Sequence, residues 1–514
     1  MPSATVPIPA PASGPRGLEG GGRAGARPAR HGPVLAVTCL ALGTVVAAMA
    51  SLNVALPSIA RETHAGLTQL TWIIDAYSLV FASLLLPGGA LGDRFGRRRT
   101  LLIGLTVFGA ASAAAVFTAT PAVLIAIRCL LGLGGALVMP ATLSTITSTF
   151  PREQRARAVS VWAAVAGASA IVGVLTTGAL LTEWSWRSVF LLNVVLAAAA
   201  IAGTLAVVPE SADPQAPRVD VVGALISVVG LCALVYSVIE APGRGWAGAA
   251  TLGGLGGGLA VMAVFVVWEL RRSDPLLDPR LFKNPAFAAG TASITLQFFA
   301  FFGFIFVIMQ YLQLVRGDKP LLAAVSVLPM AAGLIPASRL APRASEKFGT
   351  RACCALGLTL AALALAWLAQ MDGTSAYWHL AVGLVPLGAG MGLAMTPATT
   401  AVTDALPPAL QGVGSAANDL SREVGGAVGI AVLGSVLSAV YRANLPLPGV
   451  PVAAADAARS SLAVAAGMGG QVRAEAQGAF LDGMQAALLG ASAAALCGAL
   501  VVGVLLRRRS STAD

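Results

Sequence analysis

The stretch Gly89–Arg99 combines glycines, one acid and several arginines between two long apolar runs. Its glycines, Gly89, Gly92 and Gly96, leave room for neighbouring helices to approach closely. Asp93 is expected near the start of a helix, where the helix dipole favours an anion. The arginines can pair with acids or helix C-termini of an adjoining bundle: Arg94, Arg97 and Arg98. A basic loop alone explains the arginines but not the Gly-x-x-Gly-Asp spacing, so the pattern predicts a gate.

A weaker copy of this stretch begins at Glu346, which lies 253 residues after Asp93. Acid, base, Phe, Gly and a final Arg fall at the same offsets. The copy supplies four further gate candidates: Glu346, Lys347, Gly349 and Arg351. Asp419 and Arg422 are expected to complete the gate of the second half. A duplicated charged turn in an apolar chain predicts two structural repeats, an organisation found in membrane transporters.

Asp75 and Arg128 are ionisable residues inside apolar runs. An ionisable residue within a membrane is costly and is a functional candidate by default. We expect both side chains to lie about 7–11 Å below the same surface, since a helix rises 1.5 Å per residue. Similar depth and opposite charge favour a pair, in which Asp75 could bind and release a proton. A static structural ion pair, or an Asp75 hydrated near the interface, is the alternative interpretation.

Other polar or flexible side chains fall in the apolar runs at positions where they could line a central cavity. For each of them, hydrogen bonding between helices is about as plausible as contact with a ligand. The cavity candidates are Asn53, Tyr77, Met139, Asn193, Gln297, Gln310, Tyr311 and Asn418.

The composition predicts an integral membrane protein. Of the 514 residues, 57% are hydrophobic and 11% are charged, whereas soluble domains are roughly one quarter charged. A membrane-spanning helix needs about 20 apolar residues. Fourteen runs satisfy this, at about 35–58, 70–92, 100–118, 122–149, 158–182, 188–208, 221–241, 248–270, 286–314, 321–341, 352–370, 377–403, 423–441 and 479–506. We therefore predict an all-α protein with fourteen transmembrane helices.

Basic residues set the orientation. With a cytoplasmic N-terminus, the cytoplasmic junctions carry 16 Lys or Arg and the external ones carry 8. This positive-inside bias predicts that both termini are cytoplasmic. The net charge of +10 then reflects topology and contact with anionic lipids, and we expect no nucleic-acid partner.

The repeat predicts a 6+2+6 architecture. Residues 1–33 should form a disordered cytoplasmic tail, and residues 507–514 a second cytoplasmic tail. Two six-helix bundles are expected over 34–208 and 286–506, joined by helices 7 and 8 within 209–285. The second bundle would carry one long external loop at about 442–478.

Several stretches resemble known sequence motifs. The 89–99 stretch resembles the signature loop of the major facilitator superfamily, and the fourteen-helix layout resembles its QacA/EmrB-like drug:proton antiporter branch. The other matching stretches are Leu52–Pro57, Trp72–Tyr77, Arg128–Gly134, Trp184–Asn193, Gln310–Gln313 and Gly414–Arg422. The resemblance covers about residues 40–500. It implies proton-coupled export of a lipophilic drug, antibiotic or secondary metabolite by alternating access, from the cytoplasmic membrane of a bacterium.

Two positions depart from this branch. Ala48 stands where helix 1 usually has an acidic residue, and Val174 replaces the proline of the usual helix 5 motif Gly-Pro-x-x-Gly-Gly. These departures leave an uncoupled facilitator or a symporter of the same fold as the alternative. A non-transporting membrane receptor or scaffold is a more remote one.

No motif in the sequence supports an enzyme. It has no phosphate-binding Walker loop and no Gly-x-Ser-x-Gly elbow, and its only histidines are His31, His64 and His379. We therefore expect no catalytic residues, no metal site and no cofactor, with the proton gradient as the energy source. The expected partners are a small lipophilic substrate, protons and membrane lipids, and the chain is expected to be a monomer.

Overall fold

The computed structural model describes residues 31–212, 220–273, 275–406, 411–447, 451–468 and 470–505. Within these ranges the regular secondary structure is helical. Thirteen helical segments are long and apolar enough to cross a membrane. One further helix contributes the apolar segment Ala168–Glu183, which brings the number of spans to the fourteen that the sequence predicts.

Helices α1–α6 form the first bundle: α1 (His31–Thr63), α2 (Leu67–Phe95), α3 (Arg97–Val116), α4 (Pro121–Thr149), α5 (Arg152–Glu183) and α6 (Arg187–Val207). Two helices follow, α7 (Val221–Arg244) and α8 (Ala249–Arg271), and a 3-10 turn over Pro279–Lys283. The second bundle contains α9 (Pro285–Gln310), a π-helical turn (Tyr311–Val315), α10 (Pro320–Ser326), α11 (Pro329–Phe348), α12 (Thr350–Leu368), α13 (Tyr377–Asp404), α14 (Gln411–Ala443), α15 (Val452–Ser460), α16 (Leu462–Gly467) and α17 (Gly470–Leu505).

The two bundles use equivalent glycine crossings. A Cβ atom placed on Gly104 of α3 would lie 2.9 Å from the carbonyl oxygen of Gly134 of α4, and the reverse distance is the same. In the second bundle, Gly357 of α12 and Gly390 of α13 approach each other in the same way, at 2.5 Å. Gly357 follows Gly104 by 253 residues, the offset that separates the two charged turns. The duplication therefore extends from the loop sequence to helix packing, which depends on small residues in membrane bundles.

A buried carboxylate joins the two inserted helices. Asp220 caps α7 by accepting a hydrogen bond from the Gly223 amide at 2.9 Å, and it also accepts one from Trp268 Nε1 of α8 at 2.8 Å. Arg272 lies 3.3 Å away. Burial raises the pKa of Asp220, but these hydrogen bonds and the charge of Arg272 outweigh it, so that the pKa lies below its ordinary value.

Several helix ends differ from the sequence prediction. Helix α1 begins at His31, so residues 31–33 are helical and not part of a disordered tail; residues 1–30 and 507–514 lie outside the described residues. The predicted tenth helix is two helices, α10 and α11. Their break is at Val327–Leu328 before Pro329, which has no backbone N–H to continue the helical hydrogen bonds.

The second-bundle helix that carries Asn418, Asp419 and Arg422 is also longer than predicted. It begins at Gln411 and not at 423, so these residues lie inside α14. Part of the predicted external loop is helical as α15 and α16, and α17 begins at Gly470. The division into domains at 34–208, 209–285 and 286–506 stays a prediction.

Candidate functional site

Asp75 lies where the two bundles meet. It is fully buried on α2, and neither carboxylate oxygen has a hydrogen-bond partner among the described residues. Thr71 and Leu79 lie one turn to either side of it on the same helix face. Thr71 contacts the position of a Cβ on Gly434 of α14, and Leu79 belongs to the same apolar cluster as Ala431 of that helix. The α2 face that carries Asp75 is therefore turned towards the second bundle.

Arg128 of α4 has partners other than Asp75. Its side chain is buried, its Nε donates to the Ile73 carbonyl at 2.8 Å, and its guanidinium lies 4.4 Å from the ring centre of Tyr77. The predicted Asp75–Arg128 ion pair is wrong for this conformation. Ile73 and Tyr77 share one face of α2, whereas Asp75 lies between them in sequence and about 200° away around the helix.

Glu423 of α14 is an intramembrane acid that the sequence analysis missed. It is buried, and its Oε2 has no hydrogen-bond partner among the described residues. An apolar run that starts at 423 places Glu423 at the predicted end of a helix, where a charged residue is common. Its place twelve residues inside α14 makes it a second ionisable residue within a membrane-spanning segment.

The cavity candidates divide into two groups. Tyr311 and Asn418 use their polar atoms within the second bundle: Tyr311 donates to the Asp372 carbonyl at 2.7 Å, and Asn418 accepts from Thr399 at 2.9 Å. The others are buried or partly buried in the spans. Four of these have an oxygen without a hydrogen-bond partner in the described parts of the chain: Asn53, Tyr77, Gln297 and Gln310. Met139 packs in the first-bundle core, and Asn193 is buried on α6.

The first charged turn is held within its own half. Asp93 lies at the end of α2 and not at the start of a helix, because Gly96, with φ of 115°, ends α2 and separates it from α3. The Arg97 amide donates to the Ser211 carbonyl at 2.9 Å, and the Arg98 amide donates to Glu210 at 3.2 Å. These two hydrogen bonds connect the turn to the segment that follows α6. The side chain of Asp93 lies outside the described part of the structure.

The second charged turn has fewer contacts. Lys347 lies 5.3 Å from the ring centre of its neighbour Phe348, and Gly349 repeats the positive φ of Gly96, at 84°. Asp419 and Arg422 pair with each other at 3.9 Å on α14. Among the described residues, no ion pair joins the charged side chains of the two turns. Among the gate residues whose side chains the structure describes, Glu346, Lys347 and Arg351 form no ion pair with the first charged turn in this conformation.

Among the described residues, contacts between the halves concentrate at the end of the bundle that lies opposite the charged turns. Gln313 donates to the Val54 carbonyl of α1 at 2.9 Å. Arg442 of α14 donates to Thr68 of α2 at 3.3 Å. Gly178 of α5 packs against α10. We call this the opposite end, and the end with the charged turns the motif end.

The fold and this arrangement are those of a multi-pass membrane transporter. Residues 38–430 match the model of the Major Facilitator Superfamily, and the chain belongs to that superfamily. The multidrug efflux pump LfrA of Mycolicibacterium smegmatis is 33% identical, over 94% of this chain and 97% of its own length. The multidrug resistance protein Stp of Mycobacterium tuberculosis is 34% identical, over 76% and 73%.

Other relatives have related names. The tetracenomycin C resistance and export protein of Streptomyces glaucescens is 32% identical, over 71% of this chain and 69% of its own length. Among solved structures, a bacterial homologue of the human lysosomal transporter Spinster has a TM-score of 0.67 at 17% identity, over 94% of this chain and 98% of that one. The predicted family and fold are confirmed, and the relatives are drug and antibiotic resistance exporters.

Proposed function

We propose that this protein exports a lipophilic drug, antibiotic or secondary metabolite across the cytoplasmic membrane of a bacterium, in exchange for protons. The names of its relatives support the substrate class. The observation that supports proton coupling is Asp75, an acid buried at the surface where the two bundles meet, whose carboxylate has no hydrogen-bond partner among the described residues.

The environment of Asp75 suits a group that gains and loses a proton as the bundles move. An ionised carboxylate buried without a partner is costly, and binding a proton removes that cost. When α2 and α14 separate, water would reach the carboxylate and favour its charged form. Proton binding would then favour the conformation in which α2 and α14 are in contact. A ligand shifts an equilibrium only by its differential affinity for the two states, and the two environments of Asp75 would supply that difference.

Glu423 would be a second site of the same kind on the other bundle. On the first bundle, the guanidinium of Arg128 lies 4.4 Å from the ring centre of Tyr77. Substrate that enters between the bundles would meet the carboxylate of Glu423. In this proposal Arg128 positions Tyr77 through the stacking contact.

The orientation follows the positive-inside rule, with the motif end and both termini on the cytoplasmic side. Transport by alternating access would then open the motif end in one state and the opposite end in the other. The charged turns would act as the cytoplasmic gate when the motif end closes. The protein would work as a monomer, without a cofactor and not as an enzyme.

An uncoupled facilitator or a symporter is the second candidate function. Ala48, the position where the antiporter branch usually has an acid, is buried among apolar residues of the first bundle. Helix α5 likewise has Val174 in place of proline, packed against the same core. At both positions, the chain lacks the residue to which the resemblance to antiporters assigns a part in proton coupling.

The experiment that separates the two uses proteoliposomes with an imposed proton gradient. Uptake of ethidium and of a neutral antibiotic would be followed for the wild type, Asp75→Asn and Glu423→Gln. We expect gradient-driven accumulation by the wild type and its loss in Asp75→Asn, while substrate counterflow without a gradient persists. Asp372→Asn, in the loop between α12 and α13, is the matched control and should behave as the wild type.

Uptake that ignores both the gradient and Asp75→Asn would contradict antiport and support the facilitator. Loss of counterflow together with gradient-driven uptake would assign Asp75 to folding or substrate binding instead of proton coupling.

A further inference from the structure

An apolar groove of about 360 Å³ lies where α7 packs beside α2 and α4. Its walls include Ala76 of α2, Cys129 of α4, and Cys232 and Ala233 of α7. Trp72 and Tyr236 stand at one end of it. The walls offer almost no hydrogen-bonding groups. Transfer of an apolar chain into the groove is therefore favourable, whereas transfer of water is not.

The groove lies inside the membrane-spanning segments and on their outer surface. Its residues belong to the spans of α2, α4 and α7. Tyr236 is 42% exposed, and Leu225 and Val229, further along α7, are exposed as well. The groove is therefore open to the lipid surroundings and separate from the Asp75 site.

The end of the groove near Tyr236 carries a polar rim. Tyr236, Glu240 and Arg244 follow at one-turn intervals along α7. Arg244 donates to the Tyr236 hydroxyl at 2.5 Å, and Trp72 Nε1 donates to Glu240 at 3.1 Å. Trp and Tyr side chains of this kind occupy the headgroup level of a bilayer.

The rim is positively charged. Arg244 lies 3.9 Å from Glu240, and its side chain is 44% exposed. The guanidinium of Arg442 is also at this end, 3.6 Å from where a Cβ of Gly243 would stand, and its buried Nε has no hydrogen-bond partner in the described chain. Two arginines against one glutamate favour an anion, and a guanidinium binds phosphate oxygens in a bidentate manner.

The distance from the inner end of the groove to the rim arginine fits one lipid leaflet. Arg244 stands twelve residues after Cys232 on α7, which is about 18 Å along a helix. Half of a bilayer hydrocarbon core is about 15 Å. We propose that this groove holds one acyl chain of an anionic phospholipid whose phosphate binds Arg244. In the orientation proposed above, that lipid belongs to the external leaflet.

Native mass spectrometry of the purified full chain tests this assignment. The protein would be equilibrated in micelles containing dioleoylphosphatidylglycerol or dioleoylphosphatidylethanolamine. We expect the wild type to retain one phosphatidylglycerol, with a severalfold preference over phosphatidylethanolamine. Ala233→Phe and Cys129→Phe fill the groove from opposite walls, and each should abolish this retention. Ala260→Phe adds the same ring at an exposed position of α8 and should leave it unchanged.

The headgroup contact has a separate readout. Arg244→Gln should remove the preference for phosphatidylglycerol while one lipid is still retained. Equal lipid retention in Ala233→Phe, Cys129→Phe and Ala260→Phe, all folded by thermal melting, would overturn the proposal. Displacement of the bound lipid by tetraphenylphosphonium in the wild type would also overturn it, because the groove would then belong to a lipophilic cation.

Discussion

The two ends of the helical bundle are held together in different ways. At the opposite end, hydrogen bonds and close packing cross between the halves, from Gln313 to Val54 and from Arg442 to Thr68. At the motif end, the described contacts stay within one half, as in the Arg98–Glu210 and Asn284–Ala405 hydrogen bonds. In this conformation, therefore, the described hydrogen bonds between the halves lie at the opposite end of the bundle.

Helix α7 strengthens the opposite end. Its Glu240 accepts from Trp72 of the first bundle, and its Val238 carbonyl accepts from Ser435 of the second at 2.8 Å. At the motif end, the described hydrogen bonds connect this helix to α8, through Asp220 and Trp268. The inserted pair therefore bridges the halves at the end where they are already in contact. Separation of α2 from α14 would require α7 to release one of its two partners.

The largest expected effect comes from locking the opposite end covalently. A Cβ atom placed on Gly434 would lie 3.4 Å from Cγ2 of Thr71. The Cβ atoms of the two residues would then be at a separation that suits a disulfide bond. Oxidation of Thr71→Cys/Gly434→Cys, in a background without native cysteines, should reduce transport to the level of empty vesicles, because α2 and α14 could no longer separate. Reduction should restore it. Uptake of a fluorescent substrate before and after oxidation is the measurement.

A second pair controls for the chemistry of the cross-link. A Cβ on Gly109 of α3 would stand 3.3 Å from the Cβ of Ala197 of α6, in the same half. Oxidation of Gly109→Cys/Ala197→Cys should leave transport unchanged. If the oxidised Thr71/Gly434 pair transports as well as its reduced form, the opposite end does not open and the comparison of ends fails.

The sequence predicts the fold well because its two strongest signals are local. Apolar runs of sufficient length identify the spans, and the repeat of Asp93–Arg98 at Glu346–Arg351 identifies the two halves. Helix ends are harder to predict, since helices α1 and α14 continue beyond their apolar segments. Polar residues at such ends are compatible with helix as well as with loop.

The site is harder to predict because it depends on how each helix is rotated. Similar depth suggested that Arg128 pairs with Asp75, but Arg128 faces Ile73 and Tyr77. That choice depends on the packing of α4 against α2, where a Cβ on Gly132 would stand 2.5 Å from the Tyr77 carbonyl. The start of α14 likewise decides whether Glu423 is at the surface or inside the membrane. The helical period places Asp75 and Tyr77 on different faces of α2, which can be read from the sequence. Nothing in the sequence assigns their partners.

A smaller effect should follow from removing one hydrogen bond between the halves. Gln313→Leu removes the donor to Val54 and keeps the size of the side chain. A hydrogen bond contributes about 1 kcal/mol, which is about a fivefold change in an equilibrium constant. Spin labels at Phe95→Cys and Phe348→Cys, which are exposed at the motif end, should then report an increased population with a shorter distance between the two turns.

Gln477→Leu is the matched control for this prediction. Gln477 donates to the carbonyls of Leu314 and Val315 within the second half, so its loss should leave the distance distribution as in the wild type. Equal shifts in both variants would mean that the hydrogen bonds stabilise the helices in general and do not select a conformation.

The smallest effect is expected at the motif end, where the two charged turns differ in their surroundings. Gly96 and Gly349 both have positive φ, but a Cβ on Gly96 would lie 2.5 Å from Glu210 Oε1, whereas a Cβ on Gly349 would meet no atom of the described residues within 4 Å. Alanine at a positive φ costs roughly 1 kcal/mol at either position. Gly96→Ala should therefore lower the melting temperature by a few degrees more than Gly349→Ala.

Glu210→Ala removes the carboxylate with which a Cβ at position 96 would clash. In that background, Gly96→Ala should lower the melting temperature only by the amount that the backbone cost explains. If the additional loss persists in the double variant, contact with Glu210 is not what distinguishes the two turns, and the first turn must be held by its other bonds, such as that from the Arg97 amide to Ser211.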